Sequence, residues 1–149
     1  MDLILWRHAE AEDTTPDSQR KLTAKGHKQA AKIAAWLRAR LPDDARILVS
    51  PTTRTEETAA ALKRPFETVD RVGPGASHQT ILDASGWPQQ KGSVVVVGHQ
   101  PTLGETAAWL LSGEADGWTI KKGALWWFTH RGRDSAGTML RAVIGPDLV

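Results

Sequence analysis

The sequence contains no cysteine and no tyrosine, and it has only two phenylalanines. Without cysteine, disulfide bridges, thiolate nucleophiles and cysteine-ligated metals are all excluded. No apolar run approaches the roughly 18 residues that a membrane-spanning helix needs. Charge of one sign is not in excess either, because 19 basic and 17 acidic residues leave a net charge of +2. Seven tryptophans are expected to fill the core in place of the scarce aromatic residues.

The remaining composition is that of an ordinary globular protein, and 149 residues fit a single domain over residues 1–149. The basic residues are scattered and do not form a stripe with aromatic residues, which argues against nucleic-acid binding. The sequence enters a strand at its first residues and leaves no space for a signal peptide. A cytoplasmic location without membrane contact is therefore expected. No sequence feature indicates an oligomeric state.

The first strand, over residues 3–6, ends abruptly in a polar pair. Its apolar residues are followed directly by Arg7 and His8. A buried strand with this ending delivers both side chains to the carboxyl edge of a sheet, where open α/β folds place their ligand sites. We therefore expect a ligand site at this edge.

Strand and helix patterns alternate along the rest of the chain. A helix over 24–41 with Thr23 as its cap precedes a strand over 46–49, which implies a right-handed parallel crossover. Ser50 and Pro51 are predicted to cap and begin the next helix, which Pro65 ends. The remaining predicted elements are an edge strand over 66–69, a helix from 77 or 78 to about 86, a central strand over 93–97, a helix over 101–111, and a hairpin of strands 124–130 and 139–144 across residues 132–137. The expected fold class is α/β, with a mainly parallel central sheet between two helical layers and an antiparallel edge strand.

Three segments share one design, in which a strand ends at a polar residue beside a loop or a helix start. They supply Arg7 and His8, then Arg54, then His99. Because neighbouring parallel strands end at one edge, these side chains are expected to converge beside two helix N-termini. Guanidinium groups fit the oxygens of phosphate, and a neutral imidazole is a competent nucleophile near pH 7. His8 is thus the candidate nucleophile, with the arginines as phosphate ligands and His99 as a donor to the transition state.

The same residues form motifs that resemble those of a known family. Three motifs in this order resemble the histidine phosphatase superfamily, which has the phosphoglycerate mutase-like fold: Arg7-His8-Ala9 after a strand, Ser50-Pro51-x-x-Arg54, and Gly98-His99. The short length, the run from Arg20 to Gly26 and the turn at 74–76 are similar to its SixA-type phosphohistidine phosphatase branch. The resemblance covers residues 3 to about 111.

The resemblance implies a covalent phosphohistidine on His8, with Arg7, Arg54 and His99 around the phosphate. By its position in the motif, Arg20 would join them from the loop before the first helix. The resemblance implies no metal ion and no nucleotide cofactor. The implied partner is a phosphorylated protein, such as a histidine-containing phosphotransfer domain, or a small phosphorylated substrate.

Many members of the family carry a glutamate general acid on an inserted segment, and the corresponding region is short here. Its acidic residues, Glu67, Asp70 and Asp83, match no acid motif. An alkoxide leaving group needs a strong proton donor, whereas imidazole, with a pKa of about 6.5, leaves phosphorus far more readily. The expected activity is therefore metal-independent hydrolysis of phosphohistidine.

Two alternatives stay open at this point. A phosphomonoesterase for a small metabolite would need an acid, for which Glu10 is a candidate. Asp17 and Glu105 are further candidates for orienting an arginine or relaying a proton. A non-catalytic phosphate-binding protein would have no need of His8 as a nucleophile. The other histidines show no metal-ligand spacing and are predicted to lie on the surface: His27, His78 and His130.

Overall fold

A computed structural model of the chain describes residues 1–132 and 137–149. Within these residues, the chain forms six strands and four α-helices. In chain order they are β1 (Asp2–Arg7), α1 (Ala24–Arg38), β2 (Arg46–Val49), α2 (Thr53–Ala60), β3 (Glu67–Thr68), α3 (His78–Ser85), β4 (Ser93–Gly98), α4 (Thr102–Ser112), β5 (Leu125–His130) and β6 (Thr138–Ile144). Short 3₁₀ turns lie at Asp17–Gln19, Asp70–Val72 and Pro146–Leu148.

These six strands form one sheet in the order β3-β2-β4-β1-β5-β6. The first four strands in this order are parallel to one another, and β5 runs antiparallel to both of its neighbours, β1 and β6. β4, which carries four consecutive valines, is buried along its whole length, as expected of a strand between two parallel neighbours. The predicted α/β fold with a mainly parallel sheet is confirmed, and its antiparallel part comprises both C-terminal strands.

Helices cover both faces of the sheet and give it three layers. One face packs against α1 and α2, with Trp6 and Ile33 completely buried. The other face packs against α3 and α4, with Leu5 and Leu103 completely buried. Adjacent residues of β1 thus enter opposite cores, which is the period-2 alternation of a strand that is covered on both sides. Burying each such side chain contributes about 1.5–3 kcal/mol, so both layers hold the sheet rigidly.

Backbone hydrogen bonds bring three chain segments to one level of the sheet. Just beyond β1, the His8 N–H donates to Gly98 O at 3.1 Å, and just beyond β2 the Ser50 N–H donates to Val97 O at 3.1 Å. The first residues after β1, β2 and β4, which are His8, Ser50 and His99, therefore lie together at the carboxyl edge. The predicted convergence at this edge follows from the parallel register.

α1 is shorter than the sequence pattern suggested. It ends at Arg38 and not at residue 41. In the residues before Pro42, the N–H groups of Arg40 and Leu41 both bond to Leu37 O, at 3.0 and 2.8 Å. The bond from Arg40 reaches back three residues and not four, so the chain tightens into a 3₁₀-type turn and the α-helix ends.

α2 begins later than predicted, and its cap is a different residue. The side chain of Thr52, and not that of Ser50, accepts the cap hydrogen bond, from Thr55 N–H. The prediction was wrong because the Ser50 hydroxyl is engaged by His99 Nε2 at 2.7 Å. The helix also ends at Ala60, five residues before Pro65.

The C-terminal strands form the predicted antiparallel hairpin, although residues 133–136 of its turn lie outside the described residues. His130 at the end of β5 is buried, so its assignment to the surface was wrong. β5 has β1 on one side and β6 on the other, and the His130 ring packs edge-on against Trp87. Among the described helices, none combines the length and the apolarity that crossing a membrane requires.

Candidate active site

His8, the first residue after β1, is buried with 7% of its surface exposed. Its Nδ1 lies 2.8 Å from the carbonyl oxygen of Ala9. Because a carbonyl only accepts, Nδ1 carries the hydrogen and the lone pair is on Nε2. Burial lowers the pKa of His8 to about 3; the hydrogen bond to Ala9 O acts against this shift, and electrostatic interaction with His99, Arg54 and Arg7 adds to it. The imidazole is therefore neutral near pH 7, which is the form that attacks phosphorus.

The ring of His99 faces that of His8, with the ring centroids 5.4 Å apart. Its Nε2 lies 2.7 Å from Ser50 Oγ, and its Nδ1 lies 3.4 Å from Arg54 Nη2. Since a guanidinium only donates, Nδ1 accepts from Arg54 and the Nε2–H donates to Ser50. Burial, and then the charge of Arg54, lower the pKa of His99 to about 4, against a smaller raising effect of Asp17. Both imidazoles of the pocket are thus neutral near pH 7.

Arg54 lies in the first turn of α2, and its side chain is only 6% exposed. A buried guanidinium needs close partners to offset its lost hydration. Its Nη1 donates to the backbone oxygen of Asp17 at 2.7 Å, and its Nη2 donates to Asp17 Oδ2 at 3.1 Å. These two bonds fix the plane of the guanidinium beside the imidazole rings.

Arg7, at the end of β1, is held by a bond from Nη1 to Ile120 O at 2.9 Å. Its Nε, and that of Arg54, are buried and have no partner in the described part of the chain. Trp127 Nε1 is the remaining described side-chain atom in this condition. An unsatisfied buried donor costs about 1–3 kcal/mol. An anion that accepted a hydrogen bond from either Nε–H would remove this cost.

The structure brings Arg7, His8, Arg54 and His99 together and leaves Arg20 at the rim. The Nε of Arg20 donates to Glu12 O at 2.7 Å, and its Nη1 lies 3.4 Å from Asp17 Oδ1. Arg20 is thus linked to the pocket through Asp17, whose other carboxylate oxygen contacts Arg54.

The acidic candidates divide into one that contacts the pocket and others that are engaged elsewhere. Asp17 is the contacting one; partial desolvation raises its pKa, but the bonds and charges of Arg54 and Arg20 outweigh this effect and lower it. It is therefore ionised at neutral pH and is not a proton donor. Glu10 Oε2 accepts from the Thr23 hydroxyl at 2.8 Å, at the start of α1.

Two acids of the short segment also have partners outside the pocket. Glu67 and Asp83 each lie beside an arginine, at 3.1 and 3.9 Å. Of the four carboxyl groups of Glu10, Asp17, Glu67 and Asp83, only that of Asp17 contacts the pocket arginine, and it is ionised at neutral pH.

Sequence reasoning missed two contributors to the pocket. Ser50 was assigned to a helix cap, although its position one residue after a strand is the same signal that identified His8. The loop over 119–123 acts through its backbone: Ile120 O holds Arg7, and the Gly123 N–H donates to His8 O at 3.0 Å. Backbone contacts leave no residue-type pattern, so no sequence signal could have found this loop.

The fold and the pocket together define a class of protein. Three parallel strands of an α/β sheet end at one pocket, which holds two guanidinium groups, the N-terminal turn of α2 and an imidazole whose Nε2 lone pair is free to attack. Such a pocket suits a tetrahedral oxyanion and nucleophilic attack on its central atom.

Comparison with known proteins identifies the family. The model of the histidine phosphatase superfamily (branch 1) matches residues 3–73. The phosphohistidine phosphatase SixA homolog of Haemophilus influenzae is 32% identical over 124 residues, which cover 72% of this chain and 76% of that protein. The phosphohistidine phosphatase SixA of Escherichia coli is 29% identical over 127 residues and 76% of each chain. The structure of a SixA protein from Nakamurella multipartitia superposes with a TM-score of 0.81 at 28% identity, over 97% of this chain and 95% of that one.

The chain therefore belongs to the histidine phosphatase superfamily, and SixA proteins are among its relatives. The family assignment that the three motifs suggested is confirmed.

Proposed function

We propose that the chain is a metal-independent phosphohistidine phosphatase in which His8 carries the phosphoryl group as a covalent intermediate. The observation that supports this most directly is the protonation state of His8, whose Nδ1–H bonds to Ala9 O and leaves the Nε2 lone pair for attack. The relatives that bear the name phosphohistidine phosphatase support the same activity.

In the first step, His8 Nε2 attacks the phosphorus of a phosphohistidine whose other ring nitrogen carries a proton. The P–N bond breaks with its electron pair going to the phosphorylated nitrogen, so the substrate side chain leaves as a neutral imidazole. Arg7 and Arg54 neutralise charge on the phosphoryl oxygens, for which each arginine has an unpaired Nε–H. His99 Nδ1 becomes a donor only when it gains a proton. The negative charge of the substrate favours this proton, because an adjacent anion raises the pKa of an imidazole.

In the second step, water attacks the phosphorus on His8, and the P–Nε2 bond breaks. Inorganic phosphate leaves, and the lone pair returns to Nε2. The Nδ1–H bond to Ala9 is kept throughout, so His8 holds one tautomer and one orientation from the first step to the second.

Arg20 is included as a phosphate ligand in this proposal. Its contact with Asp17 is long, at 3.4 Å, and the Asp17 side chain is 62% exposed. An exposed ion pair of this kind contributes little, on the order of 1 kcal/mol or less. A phosphate oxygen therefore competes well for the Arg20 guanidinium.

The missing general acid determines which substrate class the pocket suits. An alcohol leaves as a basic alkoxide and needs a strong donor, while a substrate imidazole leaves far more easily. The ionised Asp17 cannot supply a proton at neutral pH. Phosphohistidine in a protein, or another phosphoramidate, is therefore the proposed substrate class.

A substrate panel tests this proposal. We expect turnover of a phosphohistidine peptide and of phosphoramidate to exceed that of 3-phosphoglycerate and glucose 6-phosphate by at least about 100-fold in kcat/KM. The reverse ranking would assign the chain to phosphomonoester hydrolysis. Turnover of none of the four substrates, with inorganic phosphate still bound, would assign it to phosphate binding without catalysis.

A further inference from the structure

Beside the pocket lies a groove of about 590 Å³ whose walls are rich in lysine. We call it the lysine groove; its cationic residues are Arg7, Lys25, Lys28, Lys32, Lys121 and Lys122. Glu10 and Asp147 are its two acidic residues, so six cations face two anions and the lining carries a net charge of +4. The whole chain carries only +2, so positive charge is concentrated at this place.

All five lysines are exposed. Within residues 1–132 and 137–149, none of them lies within ion-pair distance of a carboxylate, while several arginines elsewhere in the chain do. Like charges in one groove repel one another, and Glu10 and Asp147, neither of which lies within ion-pair distance of a described lysine, offset only part of that repulsion. A groove of this composition is complementary to an acidic partner.

One wall of the groove is the face of α1 that carries Lys25, Lys28 and Lys32. The spacing of these lysines, three and then four residues apart, places them along one side of the helix over about 10 Å. Two backbone bonds of Glu10 fix α1 close to His8. The Glu10 N–H donates to Gln29 Oε1 at 2.9 Å, and the Glu10 carbonyl oxygen accepts from the Thr23 N–H at 3.0 Å.

The opposite wall is the loop over 119–123, which carries Lys121 and Lys122. Its backbone contacts the two residues at the end of β1, through the bonds of Ile120 O to Arg7 and of Gly123 N–H to His8. Both walls are thus bonded to residues 7–10, and Arg7 itself lines the groove as well as the phosphate pocket.

The lining also indicates what kind of ligand fits. Pockets for small organic ligands are lined mainly by apolar and aromatic side chains. This groove has no aromatic residue, and Pro146 is its one apolar residue among the eleven that line it, so the stems of polar side chains supply most of its apolar surface. Lysine ammonium groups are strongly hydrated point charges on flexible stems and do not impose the fixed geometry of a guanidinium. They suit carboxylates spread over the surface of a macromolecule better than one compact ligand.

We propose that the lysine groove docks an acidic segment of the phosphorylated protein and so selects phosphohistidine residues that have carboxylates nearby. This inference rests on the proposed function, because it describes how the substrate of that same pocket is chosen. The attraction between the lysines and the carboxylates raises the rate at which the substrate protein encounters the enzyme and lowers KM. It weakens as added salt screens the charges.

The test uses two phosphohistidine peptides of equal length, one with several aspartates and glutamates flanking the phosphohistidine and one with asparagine and glutamine in their places. The readout is the ratio of kcat/KM for the acidic peptide to that for the neutral peptide. For the wild type at low salt we expect a ratio of at least about 10, carried by KM and falling as salt is raised.

The groove variant is Lys28→Gln/Lys32→Gln, and its matched control is Lys63→Gln/Lys91→Gln, which removes the same charge from exposed lysines outside the groove. We expect the ratio to fall toward 1 in the groove variant and to stay at the wild-type value in the control. Because the ratio compares two substrates on one protein preparation, a partial loss of folding would not change it.

Several outcomes would overturn the inference. A wild-type ratio near 1, or equal ratios in the two variants, would exclude selection by the groove. Binding to vesicles containing phosphatidylserine that is lost in the groove variant, with the peptide ratio unchanged, would assign the groove to a membrane surface. Failure of the proposed function itself is a different result, since the wild type would then hydrolyse neither peptide.

Discussion

The phosphate pocket and the lysine groove are both cationic, but they are built from different residues in different ways. In the pocket, Arg54 is buried and its guanidinium is held by two bonds to Asp17. In the groove, lysines such as Lys28 and Lys32 are exposed and have no ion-pair partner in the described chain. One region fixes donors at defined positions, and the other provides charge without fixed geometry.

Under the two proposals, the pocket recognises the phosphoryl group and the groove recognises the acidic segment around it. Arginine suits a tetrahedral phosphoryl group because its donors form a rigid fork, while lysine suits a diffuse acidic surface. Desolvation strengthens interactions in the pocket, whereas water and salt weaken those in the groove. Substitutions confined to one region or the other separate these two contributions.

Removing the nucleophile should abolish turnover. For His8→Gln we expect kcat on phosphoramidate to fall by at least about 10⁴-fold, since the Nδ1 lone pair of the other pocket imidazole, His99, already accepts from Arg54. Radiolabelled phosphoramidate should leave an acid-labile label on the wild type and none on the variant. His27→Gln, which changes an exposed histidine, serves as the control and should keep both turnover and label. A label that persists in His8→Gln would contradict the assignment of the nucleophile.

Replacing the Arg54 guanidinium by a lysine ammonium should lower activity although the positive charge is kept. Arg54→Lys removes the paired bonds to Asp17 and the unpaired Nε–H. We expect kcat/KM for phosphoramidate to fall by about 10²–10³-fold, as for the loss of a well-placed donor to a transition state. Arg46→Lys is the matched control, because that arginine makes one exposed ion pair with Glu67. Equal activity of Arg54→Lys and wild type would show that charge alone suffices.

The sequence predicted the parts of this molecule that depend on patterns within one segment. The apolar runs of β1 and β4, and the polar residues that end them, were enough to predict the sheet and the convergence of His8, Arg54 and His99. The family resemblance added Arg20, which lies at the rim and is linked through Asp17. Each of these residues has a type and a position that carry information without the rest of the chain.

What the sequence could not predict depends on contacts between distant segments. Ser50 looks like a helix cap until His99, 49 positions away, takes its hydroxyl. The hydrogen bonds from Arg54 to Asp17 and from Arg7 to Ile120 likewise join segments that are far apart in the chain. The sequence did not predict the lysine groove either, because its two walls come from α1 and from the loop over 119–123, which are far apart in the chain.

The two pocket histidines should make stability depend on pH in a defined direction. Their folded pKa values, about 3 for His8 and about 4 for His99, lie below the unfolded value of about 6.5. Between these values the unfolded chain binds more protons, so stability is full above about pH 7 and falls as the pH decreases. We expect a loss of about 2 kcal/mol per histidine from about pH 7 to pH 5, measured by urea unfolding.

A variant divides this effect between the two histidines. His8→Gln removes one of them, so its loss of stability over the same pH range should be about half that of the wild type. An identical loss in the wild type and the variant would show that His8 is not held neutral in the folded state.

The smallest expected effect concerns the acidic residue in contact with the pocket. Asp17→Asn keeps the backbone oxygen that holds Arg54 Nη1 but removes a negative charge next to the phosphate position. Because that carboxylate is largely exposed, water screens it, and we expect inorganic phosphate to inhibit the variant only about 3–10-fold more tightly at low salt. Asp13→Asn, at an exposed acid of the same loop, should leave the inhibition constant unchanged. Weaker inhibition of Asp17→Asn would mean that the orientation of Arg54 by the Asp17 carboxylate outweighs the repulsion between that carboxylate and the phosphate. Phosphate binding in the pocket would then depend on a carboxylate that holds an arginine in place, and the lysines of the groove have no such partner among the described residues.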